Sequence, residues 1–290
     1  MTTKPSRYVR PAVPGTLVFQ ARDHGVIATV ARYRSLTSEH IQALVFPGTS
    51  IAVVRRRLRL LWSHQLLERV YLPFLLDGGP PPPLARRPIY TLGPRGADLL
   101  EAAVEPVAVS TLAHNLIASD WLAAIVAASG GGGDAELVVA EPEPVLWGKI
   151  GSARSRGSFI VPDAAATLRI GAASWTFYLE VVRAGVRGGN PTLVDKLRKY
   201  AELHHRRFFR EAYGHEQVRA VLVAASSVAR AERLRAMAAD LSYGQRLFWF
   251  GSYASDPDTR SLSVFNHSSV FSPIWTDTIG QTHSLIPPPT

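Results

Sequence analysis

The stretch SFIVPDAAATLRIGAASWTFYLEVV (158–182) decides how the second half of the chain folds. It predicts two apolar strands joined by a short turn at Gly171–Ala172, because apolar runs of this length around a glycine are typical of buried hairpins. Each strand carries one acid in an otherwise apolar run, Asp163 in the first and Glu180 in the second. Two carboxylates in adjoining buried strands need an explanation, since an unpaired buried charge is costly.

The geometry of the hairpin brings these two acids together. A turn centred on Gly171–Ala172 pairs residues equally far from the turn, which sets Asp163 opposite Glu180 on one face of the sheet. A slip of one residue would instead put them on opposite faces. Like charges that face each other destabilise a strand pair, so we expect a cation between them.

Two kinds of cation fit this position, a divalent metal or a basic side chain. Mg²⁺ is the metal expected at Asp163 and Glu180, because it takes oxygen ligands and needs few protein carboxylates. The alternative is that one or both acids lie at a strand end in contact with water.

Length and composition restrict the class of protein. A chain of 290 residues, nearly half of them apolar, predicts about two domains with a real core. The chain has no cysteine, which excludes disulfides and thiolate metal sites. No uninterrupted apolar run approaches the ~20 residues of a membrane span, and no apolar segment of signal-peptide length follows the N-terminus. We expect a cytoplasmic protein with no membrane partner.

Positive charge is concentrated in the first third of the chain. Residues 1–104 hold 14 Lys+Arg against 6 Asp+Glu, a net charge of +8, whereas residues 105–290 hold 18 against 17, a net charge of +1. A basic module joined to a nearly neutral one indicates a polyanionic partner for the first module. The alternative is a surface that only keeps the protein soluble.

The first third also has the order of elements expected of a DNA-binding module. Periodicity predicts helices at 20–34, 36–46 and 49–65, then strands at 66–74 and 89–94 joined by a proline-rich loop. This is the order of a winged helix-turn-helix, in which the third helix enters the major groove and the loop touches the DNA backbone.

The predicted third helix has a buried stripe of Ile51, Val54, Leu58 and Leu61, and arginines around it. Arginines would neutralise phosphates or bind guanine edges. The candidate DNA contacts are Thr49, Arg55, Arg56, Arg57, Arg59, Arg86 and Arg87, the last two in the loop. Two alternatives remain: the arginines form a solvated helix face, or the module serves for dimerisation.

The pattern changes after residue 104. A long apolar helix at 110–128 precedes the strand AELVVAEPE, a loop at 148–158 and the hairpin. A helix at 190–213, a strand at 218–225, another helix and a final strand follow. Helices alternating with apolar strands predict a mixed α/β domain at 105–290, after a first domain at 1–104.

Several segments carry a resemblance to a known family. They resemble the replication-relaxation proteins of bacterial plasmids and mobile elements. The segments are FIVPDAAATLRI…WTFYLEVVRAG…LVDKLRKYAEL, the helix LAHNLIASDWLAAI, and RRPIYTLGPRGADLL, which contains the second strand of the predicted winged helix. The likeness spans residues 20–240. It implies a winged helix followed by a domain similar to the PD-(D/E)XK nuclease core.

The resemblance also implies roles for individual residues. Asp163 and Glu180 match the two acids of the nuclease pattern, but Val182 stands where that pattern has a lysine. Lys196 on the next helix is the candidate replacement; otherwise it is a surface charge beside Asp195. Further candidates are Glu136 or Glu141 as additional metal ligands and His114, which matches a position that the family favours.

These observations predict a DNA-binding protein of a plasmid or mobile element that acts in replication, relaxation or mobilisation. Its partners would be double-stranded DNA, a second copy of the chain, and replication or transfer proteins. Val182 favours a degenerate, binding-only nuclease core. The alternatives are an active Mg²⁺-dependent endonuclease or nickase that uses Asp163, Glu180 and Lys196, and a winged-helix transcriptional regulator.

Overall fold

The fold is of the α/β class, with a mixed sheet at its centre. The computed structural model describes residues 9–11, 14–71, 88–103, 108–130, 135–151, 159–183, 189–241, 246–253, 265 and 270–286. In these ranges the helices and strands form two sheets, a small one from the first third of the chain and a larger one from the remainder.

The first third folds around a three-stranded antiparallel sheet with strand order β1-β3-β2. Its elements are α1 (Ala21–Tyr33), β1 (Leu36–Thr37), α2 (Ser38–Val45), α3 (Ile51–Ser63), β2 (Leu67–Val70), β3 (Ile89–Leu92) and α4 (Pro94–Leu100). The three predicted helices and both predicted strands are confirmed, with β1 as an additional short strand.

Local chemistry sets the ends and the buried faces of these helices. The Thr37 hydroxyl accepts a hydrogen bond from the His40 N–H at 3.2 Å, which caps α2 at one of the two residues predicted for this role. Val54, Leu58 and Leu61 of α3 are fully buried, as the helical spacing predicts. Ser63, the last residue of α3, is also buried, and its hydroxyl donates to the Leu60 carbonyl.

The rest of the chain builds a seven-stranded sheet with strand order β10-β9-β8-β7-β6-β5-β4. Its elements are α5 (Val109–Ser129), β4 (Ala135–Pro142), α6 (Glu143–Ile150), β5 (Ala164–Ile170), β6 (Ala173–Val182), α7 (Gly189–His205), α8 (Phe208–Tyr213), β7 (Val218–Ala225), α9 (Val228–Ala238), β8 (Phe248–Ser252), β9 (Trp275–Asp277) and β10 (Thr282–His283). The β6–β7 and β7–β8 pairs are parallel, and the other pairs are antiparallel.

Three features of this half differ from the prediction. Helix α6 covers the start of the segment 148–158, which was predicted as a loop. The predicted helix 190–213 is two helices, because the backbone at Arg207 adopts a left-handed conformation with φ of 57°. Strands β9 and β10 lie in a C-terminal segment for which the sequence predicted no strand.

The hairpin of β5 and β6 has the predicted register. Ala164 pairs with Leu179 and Ile170 with Ala173, so the turn is at Gly171–Ala172 as expected. Gly171 has a φ of 59°, a conformation that glycine adopts without strain.

The two faces of the seven-stranded sheet have separate apolar cores. Helix α5 covers one face, and α6 to α9 cover the other. The core under α5 continues into the first third of the chain, where it includes the buried stripes of α1 and α3. By length and composition alone α5 could cross a membrane, but 72% of its most apolar window is buried inside the protein, as expected of the core helix of a soluble protein.

A buried polar contact joins α5 to α2. His40 Nε2 lies 3.0 Å from Asp120 Oδ1, and both side chains are 3% exposed. The other oxygen of Asp120 accepts a hydrogen bond from the Phe265 N–H at 2.5 Å. One aspartate of α5 therefore holds both the helix before α3 and a segment near the C-terminus.

Candidate functional site

The outer face of α3 is the first candidate site. Arg56 and Arg59 are exposed there, on the side opposite the buried stripe of the helix. The turn before α3 is held by Gln42, whose amide donates to the Thr49 carbonyl at 2.7 Å. Thr49 is half-buried and its N–H donates to the Phe46 carbonyl, so its backbone positions the start of α3.

The other arginines of α3 have protein partners. Arg55 donates to Glu39 of α2 at 2.8 Å, with about half of its side chain exposed. Arg57, which the sequence offered as a DNA contact beside the buried stripe, forms an ion pair with Asp23 of α1, which is 1% exposed, and donates to the Val18 carbonyl at 2.8 Å. The hydrogen bonds that Arg57 donates to the Asp23 carboxylate raise the pKa of Arg57.

Arg57 is thus part of the packing between α1 and α3, and we do not count it among the candidate DNA contacts. Arg86 and Arg87 lie outside the described residues, so their predicted role in the loop stays a prediction.

The paired acids are the second candidate site, and they share one face of the sheet. Because Ala164 pairs with Leu179, Asp163 lies at the next position, opposite Glu180. The Asp163 N–H donates to the Leu179 carbonyl at 3.0 Å, and its carboxylate accepts from the Val181 N–H at 2.7 Å. Their side chains are 11% and 4% exposed, so the alternative of acids in open water is wrong.

Basic and hydroxyl groups surround the two acids. Lys196 and Tyr200 of α7 each donate to a different oxygen of Glu180. His114 of α5 lies with its Nε2 2.9 Å from Asp163 Oδ1. We call Asp163, Glu180, Lys196, Tyr200 and His114 the acidic cluster. Of the two cations that the sequence allowed, the structure places basic side chains here.

The pKa values of the cluster follow from one ammonium shared by two buried acids. Burial raises the pKa of Glu180 to about 7; Lys196 opposes this rise and Asp163 adds to it. Burial also acts against ionisation of Asp163, but His114 and Lys196 outweigh it and lower its pKa. The two carboxylates in turn raise the pKa of Lys196 against the effect of its own burial.

His114 responds in the same way as Lys196. Its burial disfavours the protonated ring, but the adjacent Asp163 carboxylate has the larger combined effect and raises its pKa. The cluster therefore balances two acids against two basic groups and is close to neutral when His114 is protonated.

The arrangement does not fit Mg²⁺. All four carboxylate oxygens of Asp163 and Glu180 already accept hydrogen bonds, two of them from basic side chains. Among the residues that the structure describes, no three His, Asp or Glu side chains converge as metal ligands. A metal ion would have to displace Lys196 and His114.

The two further candidate metal ligands, Glu136 and Glu141, have other partners. Glu141 is buried and pairs with Lys149 and with His215, whose Nε2 lies 2.7 Å from its carboxylate. His215 in turn contacts the Tyr178 hydroxyl at 2.7 Å. Glu136 is 66% exposed and pairs with Arg169 on the neighbouring strand. Neither acid joins the acidic cluster.

Sequence reasoning missed Tyr200 and the contact of His114. Tyr200 follows Lys196 by four residues, so the two side chains share one face of α7. That spacing is a signal that could have identified Tyr200. The partner of Asp195 is Arg198, at 2.6 Å, rather than Lys196.

Comparison with known proteins gives one family. The family model described as Replication-relaxation matches residues 27–218, about two thirds of the chain. The matched segment includes α3 and every residue of the acidic cluster. No curated protein and no solved structure matches the chain significantly.

Proposed function

The chain belongs to the replication-relaxation family, and we propose that it binds double-stranded DNA of a plasmid or mobile element through α3. In this proposal the first third of the chain is a winged helix. The order α1, β1, α2, α3, β2, β3 supports it, because this order places a helix-turn-helix before a two-stranded ribbon. Membership of the family supports a role in replication or transfer of such an element.

One observation carries the proposal: Arg56 and Arg59 are exposed on α3 while the other face of this helix is anchored in the core. A rigid helix that presents guanidinium groups can enter the major groove and neutralise phosphates. The net charge of +8 in residues 1–104 also favours the attraction of DNA to this part of the chain.

For the second half of the chain we propose a nuclease-like domain that binds DNA or protein without cutting. Lys196 and His114 neutralise the paired acids, which leaves the cluster as a buried structural unit. A homodimer that contacts replication or transfer proteins in the cytoplasm is consistent with this role.

The test is duplex binding by the double variant Arg56→Ala/Arg59→Ala. Fluorescence anisotropy with duplexes from the element's own intergenic regions would be followed over a range of salt concentrations. We expect weaker binding and a salt slope reduced by about 1 for each lost phosphate contact. The control is Arg198→Ala/Arg206→Ala, which removes the same charge from one exposed position on α7 and one just after it.

Equal affinity and equal salt slope in wild type and the α3 variant would exclude α3 as the DNA-binding helix. Equal losses in both double variants would show that net charge alone governs binding. Plasmid nicking in the presence of Mg²⁺ or Mn²⁺ that disappears in Asp163→Asn would overturn the proposal of a non-cutting domain.

A further inference from the structure

A pocket lies at the opposite end of the large sheet from the acidic cluster, beside the C-terminal strand β10. Its volume is about 420 Å³, within the range of about 300–1,000 Å³ typical of small-molecule sites. Three aromatic side chains, Trp175, Phe177 and Trp249, line it together with Arg219 and His283. None of these residues contributes to the DNA-binding surface or to the acidic cluster described above.

A β-bulge directs Arg219 into this pocket. Thr176 pairs with Val218 and Phe177 with Ala220, so Arg219 is an extra residue between two paired positions. Bulges redirect a side chain, and they are rare between parallel strands such as β6 and β7. The guanidinium carbon lies 5.3 Å from the ring centre of Trp175 and 5.9 Å from that of Trp249.

The wall of the pocket is held in place by a buried aspartate. The rings of Trp249 and His283 stack at 4.3 Å between centroids, with 6° between their planes. His283 Nε2 lies 2.9 Å from Asp277 Oδ2, and Asp277 also accepts hydrogen bonds from the N–H groups of Ile279 and Gln281. The Trp249–His283 wall of the pocket is therefore held in place before any ligand binds.

The combination of ring faces with a guanidinium group determines the class of ligand. Trp175 is half-buried and Arg219 is exposed, so both are accessible from the pocket mouth. Phe177 and Trp249 are buried beneath the pocket, so a flat aromatic ligand would stack on the half-buried ring of Trp175, and an adjoining anionic group would pair with the arginine. An unpaired nucleobase with its phosphate meets both requirements, and sites for single strands use this pairing of stacking with positive charge.

We propose that this pocket binds an unpaired nucleobase of single-stranded DNA, with Trp175 as the stacking surface and Arg219 on the phosphate. The choice of DNA over another aromatic anion rests on the proposed function. The protein would then hold duplex through α3 and an opened strand through its C-terminal sheet.

The test is binding of a labelled single-stranded oligonucleotide of about 12 nucleotides, within the usual site sizes of ~4–16. Fluorescence anisotropy on the full chain would compare wild type with Trp175→Ala, Trp175→Phe and Arg219→Ala. We expect Trp175→Ala to weaken binding by about 5- to 100-fold, as for loss of one base stack. Arg219→Ala should weaken single-strand binding and reduce its salt slope. Trp175→Phe should keep most of the wild-type affinity, because it keeps an aromatic ring.

Arg169→Ala is the matched control, because it removes an exposed arginine from β5 on the other face of the same sheet. It should bind the single strand like wild type. Unfolding temperatures of all variants identify any that fail to fold. If Trp175→Ala fails to fold, Arg219→Ala still tests the pocket.

Two results would overturn the inference. One is wild-type affinity for the single strand in both Arg219→Ala and folded Trp175→Ala. The other is loss of single-strand binding in Arg56→Ala/Arg59→Ala, which would place both DNA forms on α3. Loss of duplex binding alone in that double variant separates the two proposals and supports the pocket.

Discussion

Replacement of Glu180 by glutamine should change how the stability of the protein depends on pH. Burial raises the pKa of this carboxyl to about 7, with Lys196 opposing and Asp163 adding to the rise. A group whose pKa is higher in the folded than in the unfolded chain stabilises the fold. This contribution is complete when the pH is below the pKa of the unfolded chain. That contribution is lost as the pH rises through the folded pKa. Glutamine keeps the size of the side chain and an oxygen for Tyr200, but it does not titrate.

The magnitude follows from the difference between the ordinary and the folded pKa. A rise from 4.5 to about 7 corresponds to roughly 3 kcal/mol, at about 1.4 kcal/mol for each pKa unit. About 2 kcal/mol of this is lost between about pH 5 and about pH 8. The pKa of His114 is also raised, mainly by Asp163 and in a smaller part by Glu180, so most of its loss of stability with rising pH remains in the variant. Asp163 has a lowered pKa, so its contribution is lost only in acid below this window.

Urea unfolding across this pH window measures the effect. The free energy of unfolding of wild type should fall relative to that of Glu180→Gln by about 2 kcal/mol as the pH rises. Glu136→Gln is the control, since that carboxylate is 66% exposed, and its profile should parallel wild type. Parallel profiles for wild type and Glu180→Gln would refute a buried, titrating Glu180.

Two further predictions concern packing in other parts of the chain, each measured by thermal or urea unfolding. Arg57→Ala should destabilise the fold by about 3–5 kcal/mol, because it leaves a buried aspartate without its cation, whereas Arg56→Ala should change stability by less than about 0.5 kcal/mol. Equal effects of the two would contradict the buried pair. Gly96→Ala should cost about 1–3 kcal/mol, since a Cβ there would lie 2.2 Å from the Leu66 carbonyl oxygen. Gly148→Ala meets no atom within 4 Å and should instead stabilise α6 by about 0.5–1 kcal/mol.

Elements with a strong local signal were predictable from the sequence. The stripe of Val54 and Leu58 follows from helical spacing alone, and the pairing of Asp163 with Glu180 follows from a turn centred on Gly171–Ala172. The strand β10 was not predictable, because two residues carry no periodicity and the strand exists only by pairing with β9.

Contacts between residues that are far apart along the chain were the other limit on prediction from the sequence. Helical spacing places Arg57 beside the buried stripe and Arg56 on the outer face, but it does not identify the partner of Arg57. Its ion pair depends on how α1 packs against α3, which brings Asp23 beside it. His114 likewise reaches Asp163 only because α5 packs against the two strands of the hairpin. Such contacts depend on packing between elements, which single-sequence patterns do not contain.

The aspartate that joins α5 to α2 has a practical consequence for dissecting this protein. A fragment that stops at residue 104 would uncover the side of α2 that packs against α5, and it would leave His40 without Asp120. Such a truncation should aggregate or stay unfolded when expressed alone. A fragment extended through Ser129 keeps this helix and is the smaller unit to attempt.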